Sequence, residues 1–165
     1  MKILIFTEGT IIMHSSAGGL NREQIVEQVK NSQHPLPKDF FKTHIPVDNA
    51  VKKLITWKDQ GAEILYLTSR KEGGQIEDVR QVLKKYGFPD GQLLFRQKGE
   101  QYKDIAEKVI PDVLIEDDCE SMGGINEMTI TFVSPAIKKK IKSIPVKEFG
   151  GIDHLPDKIS ALIDF

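Results

Sequence analysis

The apolar positions of this chain change period in a regular order. Met1–Ile5 is a short, nearly continuous apolar run leading into Phe6-Thr7-Glu8-Gly9-Thr10, the pattern of a buried strand that ends in a polar loop. Pro46 opens a stretch in which Val47, Ala50, Val51, Leu54 and Ile55 share one helical face, and Gly61 is placed to end it. Glu63–Leu67 is the second strand. Ile76, Val79, Val82, Leu83 and Tyr86 repeat at three- and four-residue spacing as a second helix stopped by Gly87, and Leu93–Phe95 is the third strand. Tyr102, Ile105, Ala106 and Val109 mark a helix that ends before Pro111, because the residue ahead of a proline is pushed from helical angles.

Val113–Ile115 follows as the fourth strand and Thr129–Val133 as the fifth, with a short closing helix from Pro156 through Ile159 and Leu162. Alternating strands and helices predict an α/β fold: a Rossmann-like parallel sheet of about five strands with helices on both faces. Residues 11–45 separate the first strand from its crossover helix by far more than an ordinary loop and read as a small cap insert within a single domain spanning 1–165. In the cap, Asn21 is an N-cap with Gln24 three residues on, Leu20 can staple against Ile25, and Val26 and Val29 continue the apolar face. Ser15–Gly19 suits a hinge. Ser32–Phe41, with Pro35 and Pro37, suits an irregular return. Phe40 and Phe41 either line the site or pack the cap on the core, and packing is the plainer reading.

Composition narrows the partners. The 165 residues carry 23 Lys plus Arg against 24 Asp plus Glu, so no overall field draws nucleic acid or an anionic membrane, and an anion must be held locally. Cys119 is the single cysteine, which excludes an internal disulfide framework and suits a reducing, cytoplasmic setting. No apolar run approaches the roughly 20 residues that span a bilayer, so a soluble protein is expected.

Ligands of open parallel sheets sit beyond the carboxyl ends of the strands, which gathers the loops starting at Phe6, Thr68, Lys98 and Glu116 at one edge. Thr68 and Ser69 suit either an anion site or a helix cap. Glu116-Asp117-Asp118 places three successive carboxylates at one strand end, which repel unless a cation, lysine or water screens them.

In the order of these elements the chain resembles the haloacid dehalogenase-like superfamily over nearly its whole length. Most members are magnesium-dependent phosphohydrolases whose first strand ends in Asp-x-Asp-Gly-Thr, matched here by Phe6-Thr7-Glu8-Gly9-Thr10. The resemblance implies that Phe6 stands at the nucleophile position and Glu8 at that of the general acid. It further implies that Thr68, with Ser69 and Arg70, grips a phosphoryl group, and that Lys103, or as second choice Lys98, neutralises it. Glu116, Asp117 and the additional Asp118 match the acidic, metal-binding motif.

A phenyl ring supplies no attacking oxygen and no magnesium ligand, so the covalent step is expected to be lost and magnesium binding weakened. The leading expectation is a phosphate-binding or regulatory protein taking phosphate or a small phosphorylated ligand. One alternative is an active magnesium-dependent hydrolase of a small phosphate ester or nucleotide, using Glu8 or a metal-activated water. Another is a scaffold for a protein partner.

Other residues carry weaker signals. The acids beside Cys119 disfavour its thiolate. His14, His34, His44 and His154 lack zinc spacing, although His14 and His44 can reach the cleft from the cap ends. The basic run Lys138–Lys140 with Lys142 has no interleaved aromatics and reads as a solvated face.

Overall fold

The computed structural model describes residues 1–32 and 39–165. Its centre is a five-stranded parallel sheet built from β1 (Lys2–Phe6), β4 (Glu63–Leu67), β5 (Gln92–Leu94), β6 (Val113–Asp117) and β7 (Lys142–Val146), in the order β5-β4-β1-β6-β7. β1 lies in the middle, with Ile5 opposite Tyr66 on one side and Ile115 on the other. The sheet is therefore buried on both faces, as the continuous apolar run of β1 requires.

Alternation along β1 divides the core. Ile3 and Ile5 point to the face covered by α2 (Ala50–Asp59) and α3 (Gly73–Lys85), where Leu54, Trp57, Val79 and Val82 pack. Leu4 and Phe6 point to the opposite face, against Ile105 and Ala106 of α4 (Tyr102–Val109) and Ile130 of α5 (Thr129–Phe132). Ile55, expected on the buried face of α2, is exposed; Trp57, three residues past Leu54, takes the core position.

The fifth strand is not Thr129–Val133. That segment is the short helix α5, although its β-branched composition favours a strand. Glu116 decides the matter: its two carboxylate oxygens accept the backbone N–H groups of Thr129 at 2.7 Å and Ile130 at 3.0 Å, satisfying the first donors of a helix. The edge is taken by β7, whose Pro145 belongs where a missing N–H leaves no interior ladder broken. The closing segment after Pro156 is a single 3-10 turn, Ile159–Leu162.

Residues 12–13 (β2) and 45–46 (β3) pair antiparallel, Ile12 with Pro46 and Met13 with Ile45, and close the base of the insertion. Within it, α1 (Arg22–Lys30) begins with the expected reciprocal capping of Asn21 and Gln24. The turn Phe41–Thr43 packs against α3. Pro35, Pro37 and His34 lie outside the described residues.

Candidate functional site

The strand ends of β1, β4, β6 and β7 face the insertion across a cavity of about 650 Å³. Its wall includes Phe6, Glu8, Ser69, Arg70, Tyr102, Glu116, Asp117 and Glu148 from the sheet side. His14, Phe40, Phe41 and His44 complete it from the insertion. A pocket of this size and apolar character is ordinary for a small-molecule site.

Phe6 is 8% exposed, and its ring meets the ring of Tyr102 edge to face at 5.1 Å. The end of β1 is thus closed by an aromatic pair where the motif alignment expects an oxygen nucleophile. Two residues on, the chain reverses tightly: the Thr7 carbonyl accepts from both Ile11 and Ile12. Gly9 has φ of 82°, and a Cβ there would lie 2.8 Å from Asp117 Oδ2, so this position needs glycine for both backbone angle and space.

The reversal aims Glu8 at the end of β4. Glu8 Oε1 accepts from the Thr68 hydroxyl at 2.6 Å, and Oε2 accepts from the Thr7 hydroxyl at 2.7 Å and the Ser69 backbone N–H at 3.0 Å. Ser69 Oγ adds a longer contact at 3.3 Å, and Arg70 Nε stands 3.7 Å from Oε1. Thr68, Ser69 and Arg70 gather around one anion in this structure, the chain's own Glu8 carboxylate. The Arg70 guanidinium also lies 4.2 Å over the ring of Phe41.

The acidic residues separate in role. Glu116 caps α5 as described, and burial raises its pKa against the effect of those hydrogen bonds. Asp117 accepts from the Cys119 backbone N–H at 3.0 Å and the Thr10 hydroxyl at 3.2 Å. Burial, reinforced by nearby Glu148, pushes its pKa up to about 6 despite those bonds. Asp118 turns aside to Lys147 at 3.0 Å and the Glu148 backbone N–H at 3.1 Å. Burial opposes ionisation there, but these partners hold its pKa below the usual value.

Magnesium, which the resemblance implies, does not fit this arrangement. Phe6 offers no ligand, and the oxygens of Glu116, Asp117 and Asp118 are directed to separate partners, Thr129 and Ile130, Thr10 and Cys119, and Lys147 and Glu148, rather than to one centre. Among the described residues, no group of three or more His, Cys, Asp or Glu side chains is placed to hold a metal ion.

Lys103 and Lys98 do not line the cavity; Tyr102 does, and Arg96 stacks over its outer face at 3.8 Å. The helix that was to present a lysine presents an aromatic ring. Cys119 is half-buried beside the acids, and burial followed by Asp117, Glu116 and Glu148 pushes its thiol up to about 12, which leaves it protonated. His14 and His44 both reach the cavity wall, and burial lowers the pKa of each.

Glu148, 5% exposed, is the site residue that sequence reading missed. It accepts from the Ser121 backbone N–H and hydroxyl, both at 2.7 Å. Its signal was positional: it lies two residues past the end of β7, and it became visible only once that strand was recognised. Arg22 ties the insertion to this loop through the Glu148 carbonyl at 2.9 Å and through Glu120.

Neither a scan against protein-family models nor a search of curated proteins gives a match. Among solved structures, a chain of the Pnkp1/Rnl/Hen1 RNA repair complex is similar at 14% identity with a TM-score of 0.52, covering 88% of this chain and 42% of that one. This chain therefore spans less than half of its neighbour's length, and the likeness is one of fold. A universal stress protein in complex with cAMP aligns at 11% identity over 90% of this chain and 97% of its own, with a TM-score of 0.38.

Proposed function

We propose that this chain is a small-ligand-binding or regulatory protein of haloacid dehalogenase-like build that does not carry out covalent phosphoryl transfer. The observation that carries the reading is Phe6, buried against Tyr102 at the strand end where that chemistry needs a carboxylate. The second carboxylate of the motif offers no substitute, because Glu8 is held by Thr7, Thr68 and Ser69 rather than standing free to attack. Phosphate or a phosphorylated metabolite reaches the cradle only by displacing it. What remains is a mostly apolar cavity with a few fixed polar groups, suited to binding.

A thermal-shift screen against a broad panel of cationic, neutral and anionic metabolites tests this reading. A ligand at one hundred times its Kd stabilises by about 2.7 kcal/mol, or roughly 5–10 °C for a domain of this size. No stabilisation across the panel, or a phosphorylated side chain trapped after incubation with an aryl phosphate, overturns it.

A further inference from the structure

Among the described residues, five carboxylates line the cavity, those of Glu8, Glu116, Asp117, Glu127 and Glu148, against two cations, Arg70 and Lys30. Arg70 is engaged by Glu8 and Phe41, and Lys30 sits on the exposed side of α1. Glu116, Asp117 and Glu148 are 3%, 8% and 5% exposed, and among the described residues none forms an ion pair. Their partners are neutral N–H and hydroxyl donors, two for each side chain. A carboxylate has about four acceptor positions, so each retains capacity. Buried negative charge without a counter-ion favours a cationic guest.

The surroundings select the kind of cation. The acids do not converge as a metal shell, and the volume far exceeds that of a bare ion. Another part of the wall is aromatic: His14 stacks on Phe40 at 5.8 Å and meets Phe149 edge-on at 6.1 Å, while Phe40 meets Phe41 at 5.3 Å. Aromatic faces attract organic cations and cover their apolar bodies.

His14 supplies an independent sign that a guest belongs here. It is 6% exposed and lines this cavity; Nδ1 meets Ser16 Oγ at 2.7 Å, yet Nε2 has no partner among the described residues. A buried polar atom left without a partner beside a cavity calls for an explanation, and a bound guest is one.

We propose that the ligand is an organic ammonium, a compact amine whose charged nitrogen sits against Asp117 and Glu148 and whose apolar body lies among Phe6, Phe40 and Phe149. The assignment rests on the binding reading above and gives it a charge sign. Phosphate alone suits this wall poorly: it meets the carboxylates as a like charge and leaves the aromatic surface uncovered.

Calorimetric titration of the wild-type chain with 2-phenylethylamine, 2-phenylethanol, 3-phenylpropionate and inorganic phosphate is the test. The amine is expected to bind at least about tenfold more tightly than any of the other three, an increment of about 1.4 kcal/mol. Asp117→Asn combined with Glu148→Gln, checked for folding by circular dichroism, is expected to abolish that preference; an unchanged preference overturns the assignment. The wild-type comparison decides the matter even if the double variant does not fold. Equal binding of the alcohol, or tighter binding of the carboxylate or phosphate, overturns the ammonium assignment while leaving a binding protein. If none of the four binds, the ammonium assignment falls. The binding reading falls with it only if the broad panel is also silent.

Discussion

Glu8 and Thr68 are joined by a 2.6 Å hydrogen bond from a fully buried hydroxyl to a carboxylate oxygen, across the ends of the neighbouring strands β1 and β4. The contact turns two separate loops into one unit. It also gives the cradle of Thr68, Ser69 and Arg70 a resident negative charge, so the cavity beyond Glu8 presents carboxylates rather than open anion donors. The difficulty of admitting phosphate follows from this one placement.

Glu8→Ala is expected to destabilise the protein and create a phosphate site. The Thr68 hydroxyl and Ser69 N–H lose a charged acceptor, a loss of about 1–3 kcal/mol that lowers Tm by roughly 5 °C. Inorganic phosphate should then restore part of the loss in the variant and leave the wild type unmoved. Melting curves with and without phosphate check this, and an equal response of both proteins would refute the idea that Glu8 fills the cradle.

Phe6→Asp is expected to gain no aryl phosphatase activity. The substitution returns an oxygen to the end of β1, but Thr68, Ser69 and Arg70 remain occupied by Glu8, and Asp117 and Glu116 are engaged elsewhere. It also removes the edge-to-face contact with Tyr102 and leaves a void, costing about 3 kcal/mol. Hydrolysis assays beside urea denaturation report both effects. Turnover above background would show that Glu8 gives way to substrate.

The fold and part of this site were legible in the chain because their signals are local. Continuous apolar runs mark β1, β4 and β6, and the polar residues that close or follow such runs lie at the cleft edge; Glu8, Ser69 and Asp117 reach the cavity wall that way, with Thr68 buried behind Glu8. Thr129–Val133 misled because a carboxylate thirteen residues earlier supplies its first helical acceptor, a contact no local pattern contains. β7 was masked by Lys142 and Pro145, both poor strand signals that an edge position tolerates. With β7 hidden, Glu148 was hidden too. Lys103 misled by one residue: the helix turns Tyr102 to the cavity, and a shift of one position rotates a helical side chain by about 100°.

Asp117→Asn is expected to stabilise the protein at neutral pH and much less in acid. In the unfolded chain this carboxyl titrates near 3.8, and in the fold burial moves it to about 6. The folded state therefore binds the proton more tightly between these values, and stability falls as pH rises from about 4 through 6. The gap corresponds to on the order of 3 kcal/mol. Asparagine keeps an acceptor for Cys119 N–H and can donate to Thr10, without the charge. Denaturation at pH 4 and pH 8 should show a variant advantage that grows with pH; a constant difference would remove Asp117 as its source.

Arg22→Ala is expected to loosen the insertion with little effect on the whole. Arg22 reaches from α1 to the Glu148 carbonyl at 2.9 Å, and that half-buried, charge-assisted bond contributes about 1.5 kcal/mol. Local opening of residues 22–30 should become roughly tenfold more frequent, since 1.4 kcal/mol is one decade. Hydrogen exchange of α1 measures this directly, with β1 amides as the internal reference. Faster exchange in β1 to the same degree would mean that the substitution acts globally.

Gly9→Ala is expected to lower stability by at least about 2 kcal/mol, from two separable sources. A φ of 82° strains any residue with a Cβ by about 1–2 kcal/mol, and the added methyl would stand 2.8 Å from Asp117 Oδ2. Asp117 cannot easily retreat, because Thr10 and Cys119 hold both its oxygens. Shortening the obstacle with Asp117→Ala should therefore relieve the contact and leave the strain, so a double-mutant cycle should return a coupling of about 1 kcal/mol in the relieving direction. Coupling near zero would show that backbone angle alone requires glycine here, and that the approach of the first loop to the acidic strand end carries no energetic weight.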